Sequence, residues 1–232
     1  MTDLALHIPT GVIDIPTSLV FAAIAALAVG ACVIAARRGL DERLVPLAGL
    51  ATAFIFAAQM LNFPVAAGVS GHLLGGALAA ALLGPWVGAL CVTVVIVIQA
   101  LLLADGAVTA IGLNVLNMAV VSTFVAYAVI TLALKAFGRN RRGLIAAVFV
   151  ASIFSVVAAS AAFMVEFAIG GESVQSFGAM LTAILGTHVL IGIGEGVITA
   201  AAVTAVALAR PDLVHALKGA RLDAPAPQQE TA

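Results

Sequence analysis

Residues 86–104 read WVGALCVTVVIVIQALLLA, a run without a single Asp, Glu, Lys or Arg. About 20 such residues in a helix cross the hydrocarbon core of a bilayer. The apolar residues here are continuous rather than alternating, which favours a helix over a barrel strand. The same character extends in both directions. Between Arg43 and Lys135 the only charged residue is Asp105, and between Arg142 and Arg210 only Glu166, Glu172 and Glu195 occur. Of the 232 residues, 63% are hydrophobic and 9% charged, with a mean hydropathy of +1.22. Soluble domains are nearer half apolar and a quarter charged, so the excess has no soluble interior to hide in and lipid must be its solvent. Lipid offers no partners to backbone groups, so they must pair internally. The chain reads as an all-α, polytopic membrane protein.

Seven apolar segments follow. They are Pro16–Ala36, Val45–Leu61, His72–Leu83, Trp86–Ala104, Val108–Leu134, Leu144–Ile169 and Phe177–Ala209. The third is too short for an upright helix to cross; it either tilts with flanking loop or is re-entrant. Charge decides the count. With the N-terminus outside, the C-terminus inside and seven crossings, all ten Lys and Arg residues fall inside: Arg37, Arg38, Arg43, Lys135, Arg139, Arg141, Arg142, Arg210, Lys218 and Arg221. Asp3, Asp14, Asp105 and Glu172 then lie outside. The expected layout is an extracytoplasmic segment 1–15, a helical bundle 16–210 and a cytoplasmic tail 211–232. The Pro-bearing end from Leu222 to Ala232 reads as disordered. The first 15 residues carry no Lys or Arg, so no cleavable signal peptide is expected.

Four histidines are candidates for chemistry. His7 lies in the outer segment, His72 opens the third span, and His188 sits in the outer half of the seventh. His215 reads as a solvated tail residue. Imidazole suits Ni²⁺ and Co²⁺, so His7 and His72 are candidate metal ligands. His188 is balanced between ligand and packing residue. Glu195, in Gly194-Glu195-Gly196, is an acid near the middle of a span, which marks function by default. It could accept a proton, orient His188 or serve a coupling surface. Glu166 could simply reach the interface. Asn62, Gln59, Gln99, Asn114 and Asn117 suit interhelical hydrogen bonds, and Asn114 and Asn117 share a helix face. Cys32 and Cys91 read as small core residues. Motifs for ATP binding, serine hydrolysis or zinc peptidases are missing, so the chain reads as a non-enzyme that takes its energy from a partner or a gradient.

Several stretches carry a resemblance. They are His7-Ile8-Pro9-Thr10-Gly11, Met60-Leu61-Asn62-Phe63-Pro64-Val65, Ser70-Gly71-His72-Leu73-Leu74-Gly75-Gly76 and Leu83-Gly84-Pro85-Trp86. Further along come Gln99-Ala100-Leu101, Ala104-Asp105-Gly106, Gly112-Leu113-Asn114-Val115-Leu116-Asn117-Met118 and Ile191-Gly192-Ile193-Gly194-Glu195-Gly196. In these the chain resembles the CbiM/NikM family, the substrate-capturing subunits of energy-coupling-factor (ECF) transporters for cobalt and nickel. The resemblance implies a metal held from the outer side by His7 and His72; the residues themselves leave His188, Glu195, Asn62 and Asn114 as candidates for supporting or coupling roles. Members of that family begin Met-His, so their terminal amine joins the chelate. Here six residues precede His7. A start at Leu6 would restore the family's Met-His; a start at Met1 would leave an altered site.

The resemblance further implies Co²⁺ or Ni²⁺ as a transported ion, with no permanent cofactor. Its partners would be a membrane coupling subunit, a cytoplasmic ATPase pair and a small accessory membrane subunit. The setting would be the bacterial inner membrane and the purpose, for cobalt, cobalamin synthesis. The rival readings are nickel, another small solute such as a vitamin, and a membrane protein without transport activity. The Ala-rich first span would suit either a coupling partner or packing within the bundle.

Overall fold

The structure, a computed structural model, describes residues 7–8, 10–39, 44–66, 69–172 and 176–218. Arg43 and Arg221, and the disorder expected from Leu222 onward, lie outside the described residues. Seven helices carry the fold: α1 (Ile15–Arg37), α2 (Leu44–Gln59), α3 (Gly76–Leu83), α4 (Pro85–Leu102), α5 (Val108–Phe137), α6 (Arg141–Gly170) and α7 (Phe177–Ala209). A small antiparallel hairpin, β1 (Phe63–Ala66) and β2 (Val69–Gly71), links α2 to α3, with Phe63 opposite Gly71. Five of the helices (α1, α4, α5, α6 and α7) are long and apolar enough to cross a membrane. Leu27, Leu50, Leu102, Leu132 and Ile169 are exposed on the bundle's outside, where lipid would solvate them.

Local chemistry sets the helix limits. Asp14 caps α1 by accepting from the Thr17 amide at 2.7 Å, with Pro16 in the first turn. Asn140 caps α6 through the Gly143 amide at 2.9 Å. Small residues let helices touch. A Cβ on Gly112 of α5 would collide with the backbone of Ala22 in α1, and one on Gly192 would lie 2.8 Å from the Ile153 Cα. Part of the Ala-rich face of α1 is therefore spent on packing within the bundle.

The bundle has two distinct ends. At one, the Asp14 amide donates to Gly170 O at 2.7 Å and the Glu172 amide to Val12 O at 2.9 Å, joining the start of α1 to the end of α6. At the other, Arg139 donates to Lys218 O at 2.9 Å. His215 packs there against Gly84, where an added Cβ would lie 2.7 Å from its Cε1, and its ring centroid is 6.0 Å from that of Tyr127. His215 is thus half-buried rather than a solvated tail residue. It belongs to a short strap in which Val214 and Leu217 are buried beneath α3.

The third span needs correction. Its helix starts at Gly76, not at His72; residues 72–75 are non-helical and Gly75 has φ +85°. The segment is longer than its eight helical residues, which alone cover about 12 Å. It leads from the histidine end to Gly84 at the basic end. Every residue of α3 is buried, which is where membrane proteins tolerate broken backbone.

Candidate metal centre

The segment that carries His7 is pinned by its backbone. The Ile8 amide donates to Asn114 Oδ1 at 2.9 Å, and Ile8 O accepts from the Ala107 amide at 3.2 Å. Ile8 and Ile13 sink into an apolar cluster with Leu113, Met164, Phe167 and Ile184. These contacts hold His7, 1% exposed, inside the histidine end of the bundle. His72, 7% exposed, meets it there: the ring centroids are 5.3 Å apart and inclined by 31°. His72 Nδ1–H can donate to Leu73 O at 2.9 Å, which leaves the Nε2 lone pair to a ligand. Both ring nitrogens of His7 are buried without a hydrogen-bond partner. Asp105 Oδ2 lies 4.0 Å from His7 Nε2, on a partly exposed side chain that opens the site outward. The two imidazoles are donors that suit a borderline divalent metal, although among the described residues no three His, Cys, Asp or Glu side chains gather closely enough to hold one ion.

Gly106 shapes the opposite wall. It has φ +88°, and an added Cβ would lie 3.1 Å from His7 Cβ, 3.2 Å from His7 Nδ1 and 3.1 Å from Asn114 Nδ2.

Burial, and then the nearby His72 imidazole, lower the His7 pKa to about 4, against a smaller opposing pull from Asp105. The neutral form is the ligand, so His7 stays competent until pH falls toward about 4. An ordinary imidazole would already cost about tenfold in metal affinity at pH 5.5. We therefore expect affinity, measured by calorimetry at pH 7.5 and 5.5, to change by less than about tenfold. A larger fall would show that one of the two imidazoles takes up a proton in this range.

The non-helical stretch after His72 needs its own partners. Glu195, fully buried on α7, accepts from the Leu74 amide at 2.7 Å through Oε2, while its Oε1 is buried without a hydrogen-bond partner. Gln59 Nε2 donates to Leu74 O at 2.7 Å. A carboxylate at the N-terminus of α3 also suits the helix dipole. Glu195 thus holds the backbone that carries His72.

Of the other expected site residues, Asn114 joins the centre through Ile8. His188 is half-buried and near enough to His72 for their charges to interact, but its Nδ1 bonds Ile184 O at 2.7 Å rather than Glu195. Asn62 is exposed beside the hairpin, away from the buried pair. Asp105, Gly106 and Gln59 were not among the expected site residues. Asp105 was visible as the lone charge between Arg43 and Lys135, and Gly106 as its neighbour. Met1 and Leu6, the alternative starts, lie outside the described residues.

Comparison with known proteins identifies the family. Residues 7–213 match the CbiM family, described as a cobalt uptake substrate-specific transmembrane region. A putative fused nickel transport protein NikMN of Archaeoglobus fulgidus is 41% identical over 212 residues, covering 90% of this chain and 68% of that one. A cobalt transport protein CbiM of Sorangium cellulosum is 35% identical over 182 residues, covering 76% of this chain and 79% of that one. The crystal structure of a transition metal transporter superposes with a TM-score of 0.79 at 26% identity, covering 88% of this chain and 93% of the other. With the family description spanning nearly the whole bundle and both histidines inside it, the chain belongs to the CbiM/NikM family of cobalt and nickel transport proteins, and is a multi-pass membrane protein.

Proposed function

We propose that the chain is the substrate-capturing subunit of an ECF-type uptake transporter for Co²⁺, supplying cobalamin synthesis. The observation that carries this reading is the buried His7–His72 pair, with its free ring nitrogens at one end of the bundle. In this reading residues 1–15 form the outer metal segment, 16–210 the bundle and 211–232 the cytoplasmic tail. The basic end, with Arg139, Arg141, Arg142, Arg210 and Lys218, faces the cytoplasm of the bacterial inner membrane. The ion enters past Asp105 and is held by His7 and His72. Glu195, Asn114, His188 and Asn62 support that site or couple it to partners. The power stroke comes from a membrane coupling subunit and an ATPase pair, and a small accessory membrane subunit completes the complex.

Nickel is the second reading. Two imidazoles with backbone or amine nitrogens make a nitrogen-rich site of the kind Ni²⁺ prefers, and the Archaeoglobus relative is named for nickel. A vitamin-like solute would want aromatic stacking, and the chain has one Trp and one Tyr.

The test is calorimetry with Co²⁺ and Ni²⁺ on purified wild type, His72→Ala and His7→Ala. Loss of one of two imidazole ligands is expected to weaken the preferred metal at least about 100-fold, the tighter ion naming the substrate. Unchanged binding of both ions in both variants would sink the reading.

A further inference from the structure

A second polar group lies below the imidazole pair. Glu166 on α6 does not reach the interface as its position near a helix end suggested; it is 1% exposed. Its Oε2 accepts from Asn117 Nδ2 at 2.7 Å. Its Oε1 and the Asn117 Oδ1 are both buried without a hydrogen-bond partner. Among the described residues no Lys, Arg or His forms an ion pair with it. Buried oxygens without a hydrogen-bond partner are costly, and two of them on a hydrogen-bonded pair of side chains suit a cation.

The placement ties this pair to the metal centre. Asn114 bonds the Ile8 amide next to His7, and Asn117 follows three residues later on α5, about 4.5 Å further along the helix axis. That direction leads toward the basic end. Asn117 also sits in the π-helical turn Val115–Val121, and such turns recur at functional sites.

We propose that Glu166 and Asn117 form a second, oxygen-only station for a divalent transition-metal ion, one helical turn below the His7–His72 pair. Carboxylate and amide oxygens bind Co²⁺ or Ni²⁺ more weakly than imidazoles do. An ion path needs such graded sites, favourable enough to enter and weak enough to leave. The proposal rests on the reading that His7 and His72 capture the ion, and the test separates the two.

The full chain in detergent is titrated with Co²⁺ alone to millimolar concentration, with calorimetry and cobalt X-ray absorption. Wild type should show a tight event with nitrogen ligands and a second event, at least about tenfold weaker, with an oxygen-only shell. His72→Ala should lose the first event and keep the second. Glu166→Gln should keep the first and lose the second. Asn117→Ala, which spares the carboxylate, should weaken the second several-fold. A single event in wild type, a second event that persists in Glu166→Gln or is unchanged in Asn117→Ala, or loss of the tight event in Glu166→Gln would overturn the station. Survival of the tight event in His72→Ala would instead overturn the imidazole site, whatever Glu166→Gln does.

Discussion

Glu195→Ala should destabilise the protein by about 1–3 kcal/mol and weaken metal binding by about 10–100-fold. The reason is the backbone it serves. The segment from His72 to Gly75 is non-helical, and Glu195 receives the amide of Leu74. Removing the carboxylate leaves this donor buried without an acceptor, at about 1–3 kcal/mol. His72 is two residues before Leu74, so the same change loosens an imidazole ligand. Glu195→Gln keeps one acceptor oxygen and should fall between Ala and wild type. Thermal unfolding in detergent and calorimetry with Co²⁺ would read both effects. Wild-type melting and wild-type affinity in Glu195→Ala would show that neighbouring groups take over its role.

The same segment shows what a sequence can and cannot reveal. The long spans were legible because each is bounded by charge or by Gly-Pro pairs: Arg37-Arg38, Gly84-Pro85, Arg141-Arg142 and Arg210-Pro211. The helices found for the seventh, sixth and first spans agree with the reading within a few residues. Hydropathy gave the third span its right end but not its start, because Leu73 and Leu74 are equally apolar in helix and in extended chain. What distinguishes the two is where the backbone amide of Leu74 finds its partner, and that partner lies on another helix, far away in sequence. Glu195 could therefore be flagged as an expensive acid, but not assigned its amide. Glu166 illustrates the opposite limit. Its place near a helix end suggested an interface, whereas it is buried and bonded to Asn117 of α5. The pairing of His7 with His72 was legible from motif resemblance; the approach of Asp105 was not, since it depends on how the loop before α5 folds over His7.

Gly106→Ala is expected to reduce metal affinity at least about tenfold while the bundle stays folded. Two effects meet at this residue. Its φ of +88° lies in the left-handed region, where a side chain costs about 1–2 kcal/mol. The new methyl would also lie 3.1 Å from His7 Cβ and 3.2 Å from His7 Nδ1, closer than ordinary contact, so the imidazole must move. Gly11 separates the two contributions. It has a similar φ of +81°, but nothing lies within 4 Å of an added Cβ. Gly11→Ala should therefore carry the backbone strain alone, lowering the melting temperature by less than Gly106→Ala does while binding metal as wild type does. Calorimetry and thermal melts on the two variants give the comparison. If both lose affinity equally, strain in the outer loops governs the site and the close approach to His7 does not. If only Gly106→Ala loses it, the glycine is there to leave room for the imidazole. The 4.0 Å separation of His7 from Asp105, its chain neighbour, then depends on that room.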